Sequence, residues 1–389
     1  MTKKRIMASL ALLMATAGVL LGPADRASAV GASDAYREKA EQAIEAGLQY
    51  LRSQQNEEGT WSPEAGPAVT ALAVAGMVRQ PGIELDDPMV ASGLDYVLAR
   101  QKEDGGIYDQ ILANYNTSIS LMALGPIQHQ DERIAASVVK AQDFLRALQW
   151  ADAHTDPDGE TITEGHPWFG GAGYGGHGRP DLSNTAMMIA GLNDSGLDCD
   201  DPAFQRAMNF VSMLQGTESN TTEIGEKIER DGGFVYATST NSENIGEPQS
   251  MAGESEDEFD RSRLRTYGSM TYAGFMSYLY AELDRDDPRV QDAYNWIRQN
   301  YTLEENPGMG MQGYFYYLHL FSRAMAAWGE PTIETTDGEE HLWAHDLIDR
   351  LLELQNDDGS WNNAADRWME DDPALCTAYA VLALQYALQ

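Results

Sequence analysis

The chain has 389 residues, of which 61 are acidic and 26 are lysine or arginine, so its formal net charge is −35 at pH 7. Such a balance argues against nucleic-acid binding, which needs clustered basic residues, and anionic lipid surfaces would repel the chain. An acidic, well-solvated surface suits a salty medium, where screening shortens the range of self-repulsion. The length is enough for one large domain or two ordinary ones.

The first 29 residues have the pattern of a secretory signal peptide. Residues 3–5 are basic, residues 7–21 are mostly apolar, and residues 27–29 (Ala-Ser-Ala) offer a small-residue cleavage site. The apolar stretch is short for a membrane span. We therefore predict an exported protein, periplasmic or extracellular, whose mature part begins at about residue 30 and has no transmembrane segment.

A short pattern recurs along the mature chain. Residues 55–61 read QNEEGTW, residues 101–107 read QKEDGGI and residues 355–361 read QNDDGSW, and each follows an amphipathic helical stretch. Looser copies occur at residues 171–174, 231–234 and 308–311. Recurrence on this scale predicts a repeat architecture.

A second helical stretch follows each glycine turn, and in five of the six units it begins with a threonine. These threonines are Thr70, Thr117, Thr185, Thr271 and Thr377. The second helices are apolar on most faces, which predicts burial, whereas the first helices carry more charge. Acidic runs that end in proline, at residues 86–88, 200–202 and 286–288, predict capped starts of the outer helices.

Six units of outer helix, glycine turn and inner helix cover residues 35–389. Six such pairs can close into a ring, so we predict an all-α (α/α)6 toroid formed as one domain by residues 30–389. Residues 235–264 interrupt the fourth unit and are polar and acidic with little periodicity. They predict an inserted, mobile loop near one mouth of the barrel.

The Q-x-x-x-G-x-W turns resemble those of the squalene–hopene and oxidosqualene cyclases and of the protein prenyltransferase β subunits. The resemblance extends over essentially the whole mature chain and is most specific in units one, two and six. It implies an α/α toroid whose cavity lies within the inner ring, with its functional groups near the starts of the inner helices. Toroids of this kind host several functions, so the resemblance does not define an activity.

Residues 181–186 (DLSNTA) are similar to the D-x-D-D-T-A acid motif of those cyclases. In the family the third position donates the proton that starts cyclisation, and here that position is Ser183, followed by Asn184. A serine hydroxyl is too weak an acid to protonate an alkene, so the resemblance implies a toroid without this chemistry. Asp181 is either the cap of the third inner helix or a cavity carboxylate that binds a ligand or acts as a general acid with a raised pKa.

The prenyltransferase resemblance does not extend to a metal site. Where those proteins have a zinc-binding histidine before the last threonine, this chain has Cys376, and no Asp-x-Cys pair lies upstream. His166 and His177 form a weak pattern for metal ligands. We therefore predict neither a metal nor a cofactor, and no disulfide between Cys199 and Cys376, because these lie at opposite ends of the predicted barrel.

We predict a ligand cavity among the starts of the inner helices. The glycine-rich loop 166–179 can fold tightly over a mouth, and tyrosines there offer apolar faces with hydroxyl tips. The residues predicted to line the cavity are Tyr174, His177, Arg179, Ser183, Asn184, Tyr267, Tyr316, His319 and Cys376.

These features favour an exported toroid that binds an isoprenoid-like or mixed apolar ligand in its central cavity. Three alternatives stay open. One is a terpene cyclase or isomerase that uses Asp181 as a relocated acid. Another is a polysaccharide-active (α/α)6 enzyme, which needs two acids facing one cleft. The last is a protein-interaction scaffold that uses the acidic outer face.

Overall fold

The computed structural model describes residues 32–256 and 261–389. The predicted signal peptide, residues 1–29, lies outside the described residues. None of the helices described is long and apolar enough to cross a membrane. Both cysteines, Cys199 and Cys376, are free.

Twelve α-helices follow one another along the described ranges. They are α1 (Asp34–Gln54), α2 (Ala68–Val78), α3 (Pro88–Leu98), α4 (Ala113–Leu124), α5 (Glu132–Leu148), α6 (Leu182–Asp194), α7 (Pro202–Met213), α8 (Gly268–Tyr280), α9 (Pro288–Gln299), α10 (Tyr314–Trp328), α11 (Trp343–Leu354) and α12 (Pro373–Ala387). Two small antiparallel hairpins accompany them. Their strands are β1 (Glu254–Glu256) with β2 (Ser262–Leu264), and β3 (Thr332–Glu334) with β4 (Glu340–Leu342).

The helices form two layers that differ in burial. In α8 every residue from Gly268 to Tyr278 is buried. In α9, by contrast, the buried residues are Val290, Ala293, Trp296 and Ile297, which is the spacing of an amphipathic helix with one face on a core. The even-numbered helices form the inner layer and the odd-numbered helices the outer one.

The inner layer runs round the molecule. Each even-numbered helix packs against the next, and α12 packs against α2. The outer helices α1 and α11 also pack against each other and against α12. The backbone N–H of Ala32 donates to the carbonyl of Ala387 at 3.2 Å, which ties the first described residue to the last helix. This arrangement is an α/α toroid.

In five of the six units, a glutamine at the end of the outer helix fastens the turn to the next unit. Gln55 Nε2 donates to the carbonyls of Gly59 and Met89, both at 2.9 Å, and so joins its own turn to α3. The same pair of bonds is made by Gln101, Gln149, Gln215 and Gln355. Gln355 reaches the carbonyl of Ala43 in α1 at 3.0 Å, which links the last unit to the first.

The threonines at the inner-helix starts hold the other end of each turn. Thr70 Oγ1 accepts a hydrogen bond from the backbone N–H of Trp61 at 3.2 Å. Equivalent bonds reach Thr117, Thr185, Thr271 and Thr377. The threonine pattern therefore reflects an internal connection between turn and inner helix, which satisfies a buried backbone donor.

The acidic runs before the prolines are helix caps, as predicted. Asp87 accepts from the backbone N–H groups of Met89 and Val90 at the start of α3. Asp201 and Asp287 cap α7 and α9 in the same way. Residues 198–201 (DCDD) and 284–287 (DRDD) each end at one of these caps and so start an outer helix.

The described part of the inserted segment 235–264 contains both buried residues and a short hairpin. Its first residues are core residues, since Val235, Ala237 and Ser239 are fully buried. Ala237 pairs with Gln249 as an isolated antiparallel bridge, and the segment then forms the β1–β2 hairpin. The polar composition of the later residues conceals this short apolar run at the beginning of the segment.

Candidate ligand cavity

One cavity of about 360 Å³ lies among the starts of the inner helices, and all six of these helices contribute to its wall. This volume is in the range of small-molecule sites, roughly 300–1,000 Å³. Much of the wall is aliphatic. The aliphatic lining residues are Ala65, Ala68, Val69, Leu72, Leu112, Ile119, Met270, Met369 and Leu375.

Tyrosine rings form much of the rest of the wall. The six tyrosines are Tyr115, Tyr174, Tyr236, Tyr267, Tyr316 and Tyr379. Burial raises the pKa of Tyr316 to about 12 and raises the pKa of Tyr115, Tyr267 and Tyr379 well above the ordinary value. These phenols are therefore neutral at physiological pH and offer both ring faces and hydroxyl groups to a ligand.

Three hydroxyl groups in the cavity are joined into a chain. Ser183 Oγ lies 2.9 Å from the Tyr115 hydroxyl and 2.9 Å from the Tyr316 hydroxyl, so the chain connects α4, α6 and α10. Each hydroxyl brings one proton and two lone pairs, so the chain keeps more free lone pairs than free protons after its internal bonds. We call Tyr115, Ser183 and Tyr316 the hydroxyl chain.

Glu370 is a cavity carboxylate that sequence reasoning missed. It lines the cavity and is 1% exposed. Its Oε1 accepts from the backbone N–H of Tyr316 at 2.8 Å and its Oε2 from Asn363 Nδ2 at 2.7 Å. Burial raises the pKa of Glu370, while backbone N–H groups of α10 oppose that shift. The carboxylate thus serves as the cap that α10 lacks in its own sequence.

A signal for Glu370 was present in the sequence. The fifth inner helix is the one without a threonine at its start, and its N-cap residue is Gly313, which has no side chain to accept a bond. A buried helix start needs acceptors from elsewhere.

The two residues before Glu370 have left-handed backbones, with φ 60° at Trp368 and 66° at Met369. Non-glycine residues rarely adopt this conformation, and it is often found at functional sites.

Asp181 is the N-cap of α6, and its side chain is completely buried. Its Oδ1 accepts from the Asn184 backbone N–H and its Oδ2 from Asn184 Nδ2, both at 2.9 Å. Burial raises its pKa to about 6, although Asn184, Arg179 and a hydrogen bond from Tyr236 act in the opposite direction. Asp181 does not line the cavity. Tyr236 contacts it and also forms part of the wall.

Four of the residues predicted to line the cavity lie on its wall. They are Tyr174, Ser183, Tyr267 and Tyr316. The five others, His177, Arg179, Asn184, His319 and Cys376, are placed elsewhere. Asn184 is fully buried and turns its amide to Asp181.

His177 and Arg179 occupy the loop outside the wall. His177 is exposed and directs Nε2 to the carbonyl of Ala147 at 3.2 Å. Arg179 is half-buried and donates from Nη1 to the carbonyl of Ser239 at 2.6 Å, with its guanidinium 5.3 Å from the Tyr236 ring centre. The glycine-rich loop therefore contributes Tyr174 to the cavity, while its charged groups face the inserted segment or solvent.

His319 and Cys376 are buried but do not line the cavity. His319 follows Tyr316 by three residues on α10, which places it about 4.5 Å further along the helix axis. It is fully buried, and neither ring nitrogen has a hydrogen-bond partner in the described part of the chain. Burial holds the pKa of His319 well below its ordinary value, so the ring is neutral. Cys376 is buried with Sγ 3.0 Å from the Glu370 carbonyl.

Two groups of side chains outside the cavity are close enough to share a metal ion: Asp156 with Glu160 and His166, and Asp198 with Cys199 and Asp200. In the first group, His166 Nδ1 accepts from the backbone N–H of Trp168 at 3.1 Å, and Nε2 lies 3.3 Å from Asp156 Oδ2. Both ring nitrogens of His166 thus already have partners among the described residues.

The two helical layers and the cavity at the inner-helix starts define an α/α toroid with a central cavity. Neither a protein-family model nor a curated protein sequence matches the chain. Solved structures with the same fold are found nevertheless, and they agree with the toroid resemblance predicted from the repeated turns.

One similar structure is a variant of the type II terpene cyclase MstE from Scytonema in complex with its substrate, geranylgeranyl dihydroxybenzoate. It is 14% identical, with a TM-score of 0.51 over 91% of this chain and 99% of that chain. A family 76 glycoside hydrolase from a bovine Bacteroides thetaiotaomicron strain is 12% identical, with a TM-score of 0.55 over 89% and 77% of the two chains. A family 76 mannosidase from Bacteroides thetaiotaomicron is 11% identical, with a TM-score of 0.52 over 89% and 98%. At these identities the likeness shows the fold alone, an α/α toroid.

Proposed function

We propose that the protein binds a small molecule with an apolar body and a polar head in its central cavity, and that an isoprenoid-like chain is the leading class of ligand. The observation that carries the proposal is the hydroxyl chain set in an otherwise apolar and aromatic wall. Apolar pockets with a few convergent polar groups are typical of small-molecule sites. The geranylgeranyl substrate of the MstE neighbour is consistent with this class.

Cyclisation started by alkene protonation does not suit the groups present. That chemistry needs a very strong acid aimed at the substrate. The cavity offers the hydroxyl chain, whose tyrosine pKa values are raised, and Glu370, whose pKa is raised as well. A raised pKa makes an acid weaker, so these groups favour binding over protonation of an alkene.

We also propose that the fold is a complete (α/α)6 barrel and that the protein is exported. The packing of α12 on α2 and the Gln355–Ala43 hydrogen bond support a complete (α/α)6 barrel in one domain from residue 30. The pattern of residues 1–29 supports export to the periplasm or the medium. N-terminal sequencing of the protein recovered from that fraction tests export, since a start at residue 30 is expected and an intact Met1 contradicts cleavage.

Two measurements test the binding function. Mass spectrometry of solvent extracts of the purified protein is expected to find a bound isoprenoid or similar amphiphile. Titration calorimetry with farnesol is expected to show saturable binding, and mannobiose is expected to show none. Saturable binding of mannobiose alone would instead favour a glycan site, and a protein that binds neither and carries nothing would contradict the proposal.

Two serine-to-alanine variants test whether the ligand binds in this cavity. Ser183→Ala breaks the hydroxyl chain, so farnesol affinity is expected to fall about 3- to 10-fold, the worth of a typical hydrogen bond. Ser277→Ala is the matched control, because Ser277 is a buried hydroxyl that bonds to the Ala273 carbonyl within α8 and does not line the cavity. Equal losses in both variants would show that the ligand binds elsewhere.

A second candidate function is general-acid catalysis by Asp181, as in an isomerase. The observation that favours it is a buried carboxyl with a pKa of about 6 in contact with Tyr236, whose hydroxyl lies 3.1 Å from that of Tyr174 on the cavity wall. A group with such a pKa can donate and take up protons near neutral pH. Turnover of an isoprenoid or keto substrate that survives Asp181→Asn unchanged contradicts this role.

A further inference from the structure

We propose that the ligand of this cavity carries a positive charge, as an alkylammonium group, held by the tyrosine rings beside the Glu370 carboxylate. This inference rests on the proposed binding function and names the class of its ligand. An apolar body would fill the aliphatic part of the wall, and the cationic head would lie where Glu370 and the hydroxyl chain meet at the start of α10.

The charges on the wall point to a cation. Among the described residues that line the cavity, Glu370 is acidic and none is lysine, arginine or histidine. Glu370 is joined to the hydroxyl chain through the backbone of Tyr316, whose N–H it accepts at 2.8 Å. Its oxygens still have lone pairs beyond these bonds. A ligand carboxylate or phosphate placed here would face this acid with no lining cation to balance it.

The aromatic rings offer a matching surface. Tyr316 and Tyr379 lie with ring centres 6.2 Å apart and an angle of 56° between their planes, and Tyr267 lines the same cavity. The face of a tyrosine ring attracts a cation within about 6 Å of its centre, most strongly when water is excluded. These rings are buried, with Tyr267 2% and Tyr379 6% exposed, so the attraction acts at low dielectric.

The hydroxyl chain also suits a donor more than an acceptor. Tyr115, Ser183 and Tyr316 keep free lone pairs in excess of free protons. A primary or secondary ammonium can donate to these oxygens, and a quaternary ammonium can rest against the rings. Both forms of cation therefore find partners at this place.

Two arginines lie near the cavity but are engaged outside it. Arg179 donates to the Ser239 carbonyl and to Gln249 Oε1, and its guanidinium lies 5.3 Å from the Tyr236 ring centre. Arg367 donates to Gln312 Oε1 at 2.7 Å and stacks 4.4 Å from the Trp368 ring centre. Neither is a lining residue. The net charge of −35 adds a long-range attraction for cations, which salt screens.

A matched series of ligands tests the charge. Decyltrimethylammonium, decanol and decanoate share one chain length and differ in the head group, and each is titrated into the purified protein below its micelle concentration in about 0.15 M NaCl. We expect the ammonium to bind at least roughly tenfold more tightly than decanol, and decanoate to bind most weakly. Decanol binding as tightly as the ammonium overturns the charge and leaves the binding function standing. If none of the three ligands binds, both the charge assignment and the proposed binding function are wrong.

Variants then test whether Glu370 is the group that recognises the charge of the ligand. Glu370→Gln is expected to weaken the ammonium about tenfold and decanol less than about twofold, since a close charge pair is lost. Glu41→Gln on the exposed face of α1 is the control for net charge and is expected to leave both affinities unchanged. An unchanged ratio of the two affinities in Glu370→Gln overturns the assignment.

A pair of changes at Tyr379 tests the ring independently of the α10 cap. Tyr379→Phe keeps an aromatic face and should keep the preference for the ammonium. Tyr379→Leu keeps an apolar side chain without a ring, and should lower ammonium affinity about threefold or more while decanol affinity changes little. Thermal melts followed by circular dichroism confirm that each variant is folded. Equal ammonium affinity in the Phe and Leu variants overturns the role of the ring.

Discussion

The hydroxyl of Tyr316 lies 2.9 Å from Ser183 Oγ, so a hydrogen bond joins the fifth inner helix to the third across the barrel. These two helices are not neighbours in the ring, because α8 lies between them. The bond therefore exists only when the ring is assembled.

This relationship makes Tyr316→Phe an informative change. Removing the hydroxyl ends the hydroxyl chain at Ser183, and we expect the free energy of unfolding to fall by about 0.5–1.5 kcal/mol. Ligand affinity should fall as well, because the head group loses a partner. Urea unfolding and titration with farnesol measure the two effects. Tyr50→Phe on α1 is the control, since Tyr50 is outside the cavity, and a similar loss there would contradict the role given to Tyr316.

Asp181 predicts a distinct dependence of stability on pH. Its pKa is about 6 in the folded protein because of burial, whereas an aspartate in an unfolded chain has a pKa of about 3.9. Between these values the folded state keeps a proton that the unfolded state has lost. The stabilisation is therefore fully present below pH 4 and is lost as the pH rises to 6, in total about 3 kcal/mol.

Asp181→Asn isolates this contribution. Asparagine is also a good N-cap, so α6 should keep its start, while the titration disappears. The difference in unfolding free energy, wild type minus variant, is expected to fall by about 2 kcal/mol from pH 4 to pH 7. Urea unfolding at several pH values measures it. A difference that stays flat, or rises with pH, would show that the carboxyl is not held in a desolvated site.

Gln355→Ala tests how much the hydrogen bond between the last unit and the first contributes to the free energy of unfolding. Gln355→Ala removes the bonds to Gly359 and to Ala43 in α1 and leaves both carbonyls without this donor. We expect a loss of about 1–3 kcal/mol in unfolding free energy, the cost of unpaired partly buried groups. Gln54→Ala is the control, because Gln54 is exposed and bonds only to the side chain of Ser53. If both variants lose the same stability, the closing bond contributes nothing measurable.

The sequence predicted the toroid well because its repeats reflect bonds made in five of the six units. The glutamine and the threonine of the first, second and sixth units are spaced as the turn requires, so the pattern was visible. In the third and fourth units the same glutamine bonds join Gln149 to Gly170 and Gln215 to Gly232 across 21 and 17 residues. Insertions between the partners concealed these copies.

The cavity was harder to predict than the fold. Tyr174, Ser183, Tyr267 and Tyr316 could be named because they stand at or just before inner-helix starts, where the wall is built. His319 does not line this cavity, and sequence spacing does not show how deep along the barrel a cavity extends. Glu370 was missed because its role depends on α10, more than 40 residues earlier, lacking a capping side chain of its own.

Two glycines of the third unit, Gly159 and Gly170, have similar backbone angles. Comparing their alanine variants tests whether the turn of this unit packs against α7. Gly170 has φ +83°, and a Cβ there would lie 1.8 Å from the Arg206 carbonyl oxygen of α7. Gly159 has φ +87° and open space around the same position. Both alanine variants carry the cost of a left-handed backbone, about 1 kcal/mol, but Gly170→Ala must also displace α7. We expect it to lose at least about 2 kcal/mol more than Gly159→Ala, with overpacked sites as the guide. Urea unfolding of both variants measures the gap, and equal losses would show that the turn does not pack against α7 as described.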